Sequence, residues 1–413
     1  MDSLTQIVLG AACGEAVAGR KIGNRAMLWG AVGGTIPDLD VLANLFVDEI
    51  SATSFHRGFM HSLLFACLAP WVLAHLTRWF YGEEIHRRRG FKAGAMTAWL
   101  LFYVGAAVGI NMIPKALNGH FNWVTLSVTL GLGAWLLWRL WRDYWRSDLQ
   151  EVQLPYRSWV ALFFWSIFTH PLLDSFTSWG TQLLQPFHDL RVQWCTVSVV
   201  DPLATLPFAL CLLVAARIDR RRGARTGWNV AGLLWFCGYL LLYTLWHKHT
   251  VNQAWQNTLR SRGISYHRYY TNPTIFNNIV WSGLAEGDTA YYFSLYGFND
   301  AQPGFSSIST LPKHHERLSA VPPDTRAGYF LRWFTDGYFN VLPYRGDTLQ
   351  VNDLRFGLLG DTLQDNNYVF PFLVFKNERG EWDIHQNNRD PKNLQQSKRS
   401  IGTLLDRVLG KAR

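Results

Sequence analysis

The chain has 413 residues, a formal net charge of +9 and a mean hydropathy of −0.01. The length allows two or three domains, and the near-zero hydropathy averages two unlike parts: long apolar runs up to about residue 250, then polar, Tyr- and Gly-rich sequence. The positive charge does not argue for nucleic acid, because triplets such as Arg87-Arg88-Arg89 and Arg220-Arg221-Arg222 sit in short connections between apolar runs, where basic residues orient membrane segments.

The N-terminus, Met1-Asp2-Ser3-Leu4-Thr5-Gln6, has neither a basic stretch nor a small-residue cleavage site, so the first apolar run is expected to stay in place as a helix. The apolar runs cover about 4–19, 26–46, 59–80, 93–113, 121–141, 159–173, 197–216 and 228–247. Most approach the ~20 residues that span ~30 Å of hydrocarbon. Basic connections follow every second run, which predicts about eight passes with both termini on the outer, non-cytoplasmic side. The five cysteines, Cys13, Cys67, Cys195, Cys211 and Cys237, form no CxxC and none lies in the tail. They read as small core residues, which excludes a zinc knuckle and a disulfide framework.

From about Trp255 the pattern changes. Residues 290–296, 328–331 and 367–375 are rich in aromatic and β-branched side chains and predict strands, separated by turn residues at Gly287-Asp288, Gly337 and Gly346-Asp347. Residues 401–409 predict a short amphipathic helix. The expected fold class is a mainly α polytopic membrane helix bundle, residues 1–250, followed by a soluble β or α+β domain, residues 251–413.

Ionisable groups at membrane depth are costly and mark working sites. In His170-Pro171-Leu172-Leu173-Asp174 the imidazole and carboxylate are four apart, so they share a helix face and can meet one ion; the structural alternative is a buried His–Asp hydrogen bond that fixes packing. In His56-Arg57-Gly58-Phe59-Met60-His61 a spacing of five puts the two rings about 140° apart on a continuous helix. Gly58 breaks that regularity: His56 is expected in the preceding turn, His61 in the first helical turn, and both could then face one ion. Snorkelling of both rings to water is the alternative. Pro37-Asp38-Leu39-Asp40 offers two hard oxygen ligands in a broken helix, or an Asp-rich surface turn. The topology count places Asp38, Asp40, His56, His61, His170 and Asp174 at one end of the bundle. Asp201-Pro202 reads equally as a helix N-cap with Pro at the first position. Glu15 reads as a helix–helix hydrogen-bond partner, and His247, His249, His267, His314 and His315 as surface residues. No GxSxG elbow, P-loop or dinucleotide fingerprint is present, so no organic cofactor site is expected.

These segments together resemble the YdjM-like family of bacterial inner-membrane metal-dependent hydrolases. The resemblance is carried by Met1 to Gln6 with Gly14-Glu15, by Gly34 to Asp40, by His56-Arg57-Gly58 with His61-Ser62, and by His170 to Thr181. Asp201-Pro202-Leu203 and Asn272 to Asn277 are similar to its later signatures. The resemblance implies a multi-pass inner-membrane protein whose metal residues fall here on Asp38, Asp40, His56, His61, His170 and Asp174. The stretch 94–145 looks longer than the family pattern, as if a helical pair had been added.

The chemistry expected from these residues is hydrolysis by one or two divalent ions, zinc by its mixed N/O donors, with manganese or iron as alternatives. Asp40 or Asp201 would take a proton and Arg57 would steady negative charge. Membrane lipids, and an amphipathic or phosphoester substrate, are the expected partners, with the tail domain in the periplasm. The competing readings are a cation or proton carrier using the same groups as a relay, and an envelope scaffold with a structural ion.

Overall fold

The computed structural model describes residues 1–118, 122–146, 151–301, 303–358, 368–387, 402 and 404–411. Its contacts gather Met1–Pro70 with Ala161–Arg413 into one compact unit and Trp71–Val160 into a second.

In the first unit, helix α1 (Ser3–Ile22) is followed after one residue by α2 (Asn24–Thr35). Asp2 caps α1 by accepting from the Thr5 amide, and Gly23 turns the chain at φ 62°. The two helices touch backbone to backbone through glycines. A Cβ on Gly14 would lie 2.1 Å from the Ala26 carbonyl oxygen, and one on Gly30 would lie 2.2 Å from that of Gly10. Helix α2 stops at Pro37, which starts a 3₁₀ helix, Pro37–Leu45. Helix α3 (Glu49–Phe55), a short 3₁₀ turn (Phe59–His61) and the start of α4 (Leu63–Gly82) follow.

The second unit takes the chain from Trp71 through the rest of α4, α5 (Arg89–Asn118), α6 (Trp123–Leu140) and the first residues of α7 (Tyr156–Asp174). Its helices present exposed Trp99, Leu101, Phe102, Trp123, Val124 and Leu130. So many uncovered large apolar side chains suit a lipid surround.

Beyond α7 an irregular segment leads to α8 (Pro202–Arg217), α9 (Gly223–Gly238), a π-helical turn (Tyr239–Tyr243) and α10 (Thr244–Ser261). Val8, Leu9 and Ala12 of α1 pack with Phe208 and Leu212 of α8 and Phe236 of α9 in one core. Four helical stretches among the described residues are long and apolar enough to cross a membrane: Leu63–Gly82, Arg89–Met112, Trp123–Trp145 and Gly223–Ser261. Pro202–Arg217 is a shorter apolar helix. Fewer helices qualify than the eight expected passes. The second expected run is cut at Pro37 into a 12-residue helix and a 3₁₀ segment.

The β-rich part holds two four-stranded antiparallel sheets, each in sequential order. The first comprises β1 (Arg268–Pro273), β2 (Val280–Glu286), β3 (Ala290–Gly297) and β4 (Ser309–Pro312). The second comprises β5 (Phe339–Pro343), β6 (Leu349–Leu358), β7 (Tyr368–Lys376) and β8 (Trp382–Gln386). Trp255 and Leu259 of α10 seat the first sheet through Trp281 and Tyr296. Leu284, Tyr291 and Phe293 of that sheet meet Leu354 and Tyr368 of the second.

The strand predictions hold at 290–296 and at 368–375; Asn367 lies outside the described residues. Residues 328–331 are not a strand. They belong to helix α11 (Arg326–Thr335), capped by Thr325. Ala327, Phe330, Leu331 and Phe334 are buried, a spacing of three, four and seven that is helical, and the aromatic content had masked it. Residues 404–408 are helical as expected, while Ile401 lies outside the described residues.

Candidate metal centre

The break after α2 brings two carboxylates to one place. Pro37 forces the 3₁₀ helix, so Asp38 and Asp40 follow a tighter path than an α-helix gives. Helix α7 supplies His170 and Asp174 one turn apart on its last turns. His61 ends the short 3₁₀ turn after α3, and His56 is the residue that ends α3. The expectation that His56 precedes the helical turn and His61 lies in it is met.

Asp38, His61, His170 and Asp174 converge. His61 Nε2 lies 3.1 Å from His170 Nε2. Asp174 Oδ2 lies 3.4 Å from each of those nitrogens. Asp38 Oδ1 lies 3.3 Å from His170 Nε2 and 3.6 Å from His61 Nε2. Four donors around one ion at ~2.0–2.2 Å in a tetrahedron stand about 3.3–3.6 Å apart. The separations fit a single small ion, and these residues could hold one.

The tautomers agree with that fit. His170 Nδ1 is 2.6 Å from the Gly34 carbonyl oxygen, so it carries the proton and donates. Its Nε2 therefore presents a lone pair. His61 Nδ1 faces Asp40 Oδ2 at 3.2 Å, though without the alignment of a full hydrogen bond. The same logic turns its Nε2 lone pair toward that of His170. Two lone pairs 3.1 Å apart repel unless a cation or a proton lies between them. Asp174 Oδ2 is buried with no hydrogen-bond partner among the described residues, a second sign of an ion's place.

The other predicted residues stand around these four. Asp40 Oδ1 is 2.9 Å from His56 Nδ1, and Asp40 Oδ2 accepts from the Arg57 amide at 2.7 Å. Arg57 adopts φ 57°, which aims its amide at that carboxylate. The structure thus sets Asp40 and His56 behind His61. A carboxylate behind a ligating imidazole orients the ring and raises its basicity. The Arg57 guanidinium is buried, 3.3 Å from Asp174 Oδ1, and donates to Thr177 Oγ1 at 2.9 Å. Asp201 is not brought to the four. Its Oδ1 caps α8 through the Leu203 and Ala204 amides, and its Oδ2 accepts from Tyr239 at 2.7 Å.

The profile of the YdjM inner membrane protein family matches residues 1–113 and 124–250. The chain belongs to the YdjM inner membrane protein family. No curated protein and no solved structure matches it. The two matched ranges take in most of α5 and α6 and leave out 114–123.

Within this YdjM chain, residue-by-residue reading missed three contributors. Gln6 Nε2 donates to Asp174 Oδ1 at 3.1 Å and to the His170 carbonyl at 3.2 Å. The Met1 amino nitrogen also contacts Asp174 Oδ1. The Gly34 carbonyl fixes His170. Gln6 alone had a signal, as a polar side chain in an apolar helix; the other two act through backbone atoms, which residue type does not encode. Glu15 makes more than a hydrogen bond: both its oxygens take the Arg225 guanidinium, at 2.6 and 2.5 Å, in a buried pair between α1 and α9. His247 is buried, not at the surface, and its Nδ1 bonds the Asn278 carbonyl at 2.6 Å.

Proposed function

We propose that this YdjM-family protein is a metal-dependent hydrolase of the inner membrane, acting on a phosphoester at the outer membrane–water boundary. The observation that carries the reading is the set of four donors, the buried His61, His170 and Asp174 and the partly exposed Asp38, at the mutual distances of ligands to one ion. Imidazole and carboxylate donors without thiolate suit zinc, with manganese or iron as alternatives. A divalent ion supplies Lewis acidity toward a phosphoryl oxygen and makes water acidic enough to attack near neutral pH.

The chain's own groups do the rest. Asp38 is the partly exposed member of the four, its side chain 20% accessible against 0% for the other three. Substrate approaches past it. The 3₁₀ helix that carries Asp38 leaves Leu39, Val41, Leu42, Leu45 and Phe46 exposed, which suits an approach from lipid. Arg57, beside Asp174, opposes the build-up of negative charge during transfer. Asp40, bonded to the His56 ring that is a third exposed, stands behind His61 and holds that imidazole in place for the ion. Asp201, tied by its cap and by Tyr239, takes no part. The charge of the connections supports a periplasmic position for the centre and the β-rich domain.

The test is hydrolysis of a panel of water-soluble and lipid phosphoesters by full-length protein loaded with zinc. Wild type is expected to turn over at least one of them, and a His61→Ala/His170→Ala variant none. Equal activity in the two proteins ends the hydrolase reading.

A further inference from the structure

A cavity of about 340 Å³ lies against the segment that follows Asp174. Its walls include Trp179, Phe293, Phe356 and Phe370, so it is apolar and shaped by both sheets. That volume falls at the lower end of the roughly 300–1,000 Å³ of small-ligand sites. The metal-centre chemistry does not use it.

Three observations say what it takes. First, most of the residues that line it are apolar and none of them is charged, and the side-chain oxygen of Asn272, which also lines it, is closed off from the space. Such walls suit an apolar chain. Second, the cavity is continuous with apolar surface. Val199 and Ile275 both line it and are exposed, and the exposed Leu203 follows at the start of the apolar helix α8. A molecule sliding along α8 meets the cavity without crossing a polar rim at these positions. Third, Trp179 ties the cavity to the candidate centre. Its ring packs edge-on against His56 at 5.6 Å and against Phe370 at 5.4 Å. His56 in turn bonds Asp40.

We infer that this cavity holds the acyl chain of a lipid. That the lipid is also a substrate rests on the hydrolase reading; that it binds does not. An acyl chain matches the aromatic walls, and entry along α8 matches a ligand delivered by the bilayer.

The test uses full-length protein in phospholipid nanodiscs and two photoactivatable probes. One is a monoacylglycerol with a diazirine in a palmitoyl chain; the other is the methyl ester of the same fatty acid. Both are expected to label peptides carrying Phe293 or Phe370, and Val369→Trp, which fills the cavity, is expected to abolish that labelling. Near-ultraviolet circular dichroism that matches wild type shows that Val369→Trp folds. Labelling confined to the outer faces of α5 and α6, or unaffected by Val369→Trp, overturns the inference. Cavity labelling without hydrolysis of any phosphoester supports the lipid site and removes the hydrolase reading; hydrolysis without cavity labelling does the reverse.

Discussion

Asp40 is where the candidate centre is most open to a small, informative change. Three nitrogens meet its two oxygens: His56 Nδ1 at 2.9 Å, the Arg57 amide at 2.7 Å and His61 Nδ1 at 3.2 Å. Asp40→Asn keeps the shape and replaces one oxygen by an NH₂ group, itself a donor. With its oxygen toward Arg57 and His61, its NH₂ group meets His56 Nδ1, which can accept only by moving its own proton to Nε2; turned the other way, the NH₂ group opposes both Arg57 and His61. In either pose the negative charge behind His61 is gone, and its ring is freer to move its proton to Nε2, the atom that faces the ion. Removing such an outer partner of a ligating imidazole costs about 10- to 100-fold in metal affinity, or about 1.4–2.7 kcal/mol. His61→Ala removes a donor atom outright and is expected to cost more. Competition with a chromophoric chelator measures both, on protein whose near-ultraviolet circular dichroism matches wild type. Wild-type zinc affinity in a folded Asp40→Asn protein refutes the assignment of Asp40 as the partner that orients His61.

Three further outcomes are expected from the fold. Arg225→Met leaves Glu15 charged and buried at the α1–α9 contact, and should lower stability by about 3–5 kcal/mol, while adding Glu15→Leu should restore most of it; thermal unfolding in detergent decides, and an uncorrected double variant speaks against the pairing. Gly14→Ala and Gly30→Ala each drive a methyl group into backbone 2.1–2.2 Å away and should lower stability by at least about 1–3 kcal/mol and weaken zinc binding, because α2 carries the carbonyl that fixes His170. In the β-rich domain, burial raises the Glu286 pKa, but hydrogen bonds from Lys313 and Arg268 outweigh it and hold the carboxyl below its ordinary value of 4.5. A depressed folded-state pKa stabilises above the unfolded value and is lost as pH falls through the folded one, so melting should decline below about pH 4.5, with a shallower decline in Glu286→Gln; identical pH curves remove Glu286 as the source.

How much of this could be read from residues alone depends on the range of the interaction. Asp38, His61, His170 and Asp174 were legible because charge and imidazole in apolar sequence have few bland explanations, and because the i, i+4 spacing of His170 and Asp174 needs only one helix. The division of labour among the six residues was not. Asp40 and Asp38 look alike in Pro37-Asp38-Leu39-Asp40; only the left-handed turn at Arg57, which brings an amide to Asp40, separates them. Residues 328–331 were misread because aromatic content suggested a strand, while the buried Ala327, Phe330, Leu331 and Phe334 keep a helical interval that extends beyond those four residues. The glycines of α1 and α2 carried a signal without an address: small residues repeat in each, but which backbone each one meets depends on the crossing.

That crossing links the helical fold to the chemistry. Gly34 serves twice. A side chain there would press within 2.6 Å of the Gln6 carbonyl, and its own carbonyl takes the His170 Nδ1 proton. Gln6, on the same stretch of α1, reaches across to Asp174. Close approach of α1 and α2 therefore sets both a ligand's tautomer and a carboxylate's orientation. A change that only separates the helices should disturb the candidate centre before it disturbs the fold, so in Gly30→Ala zinc affinity should fall at temperatures where the protein is still folded.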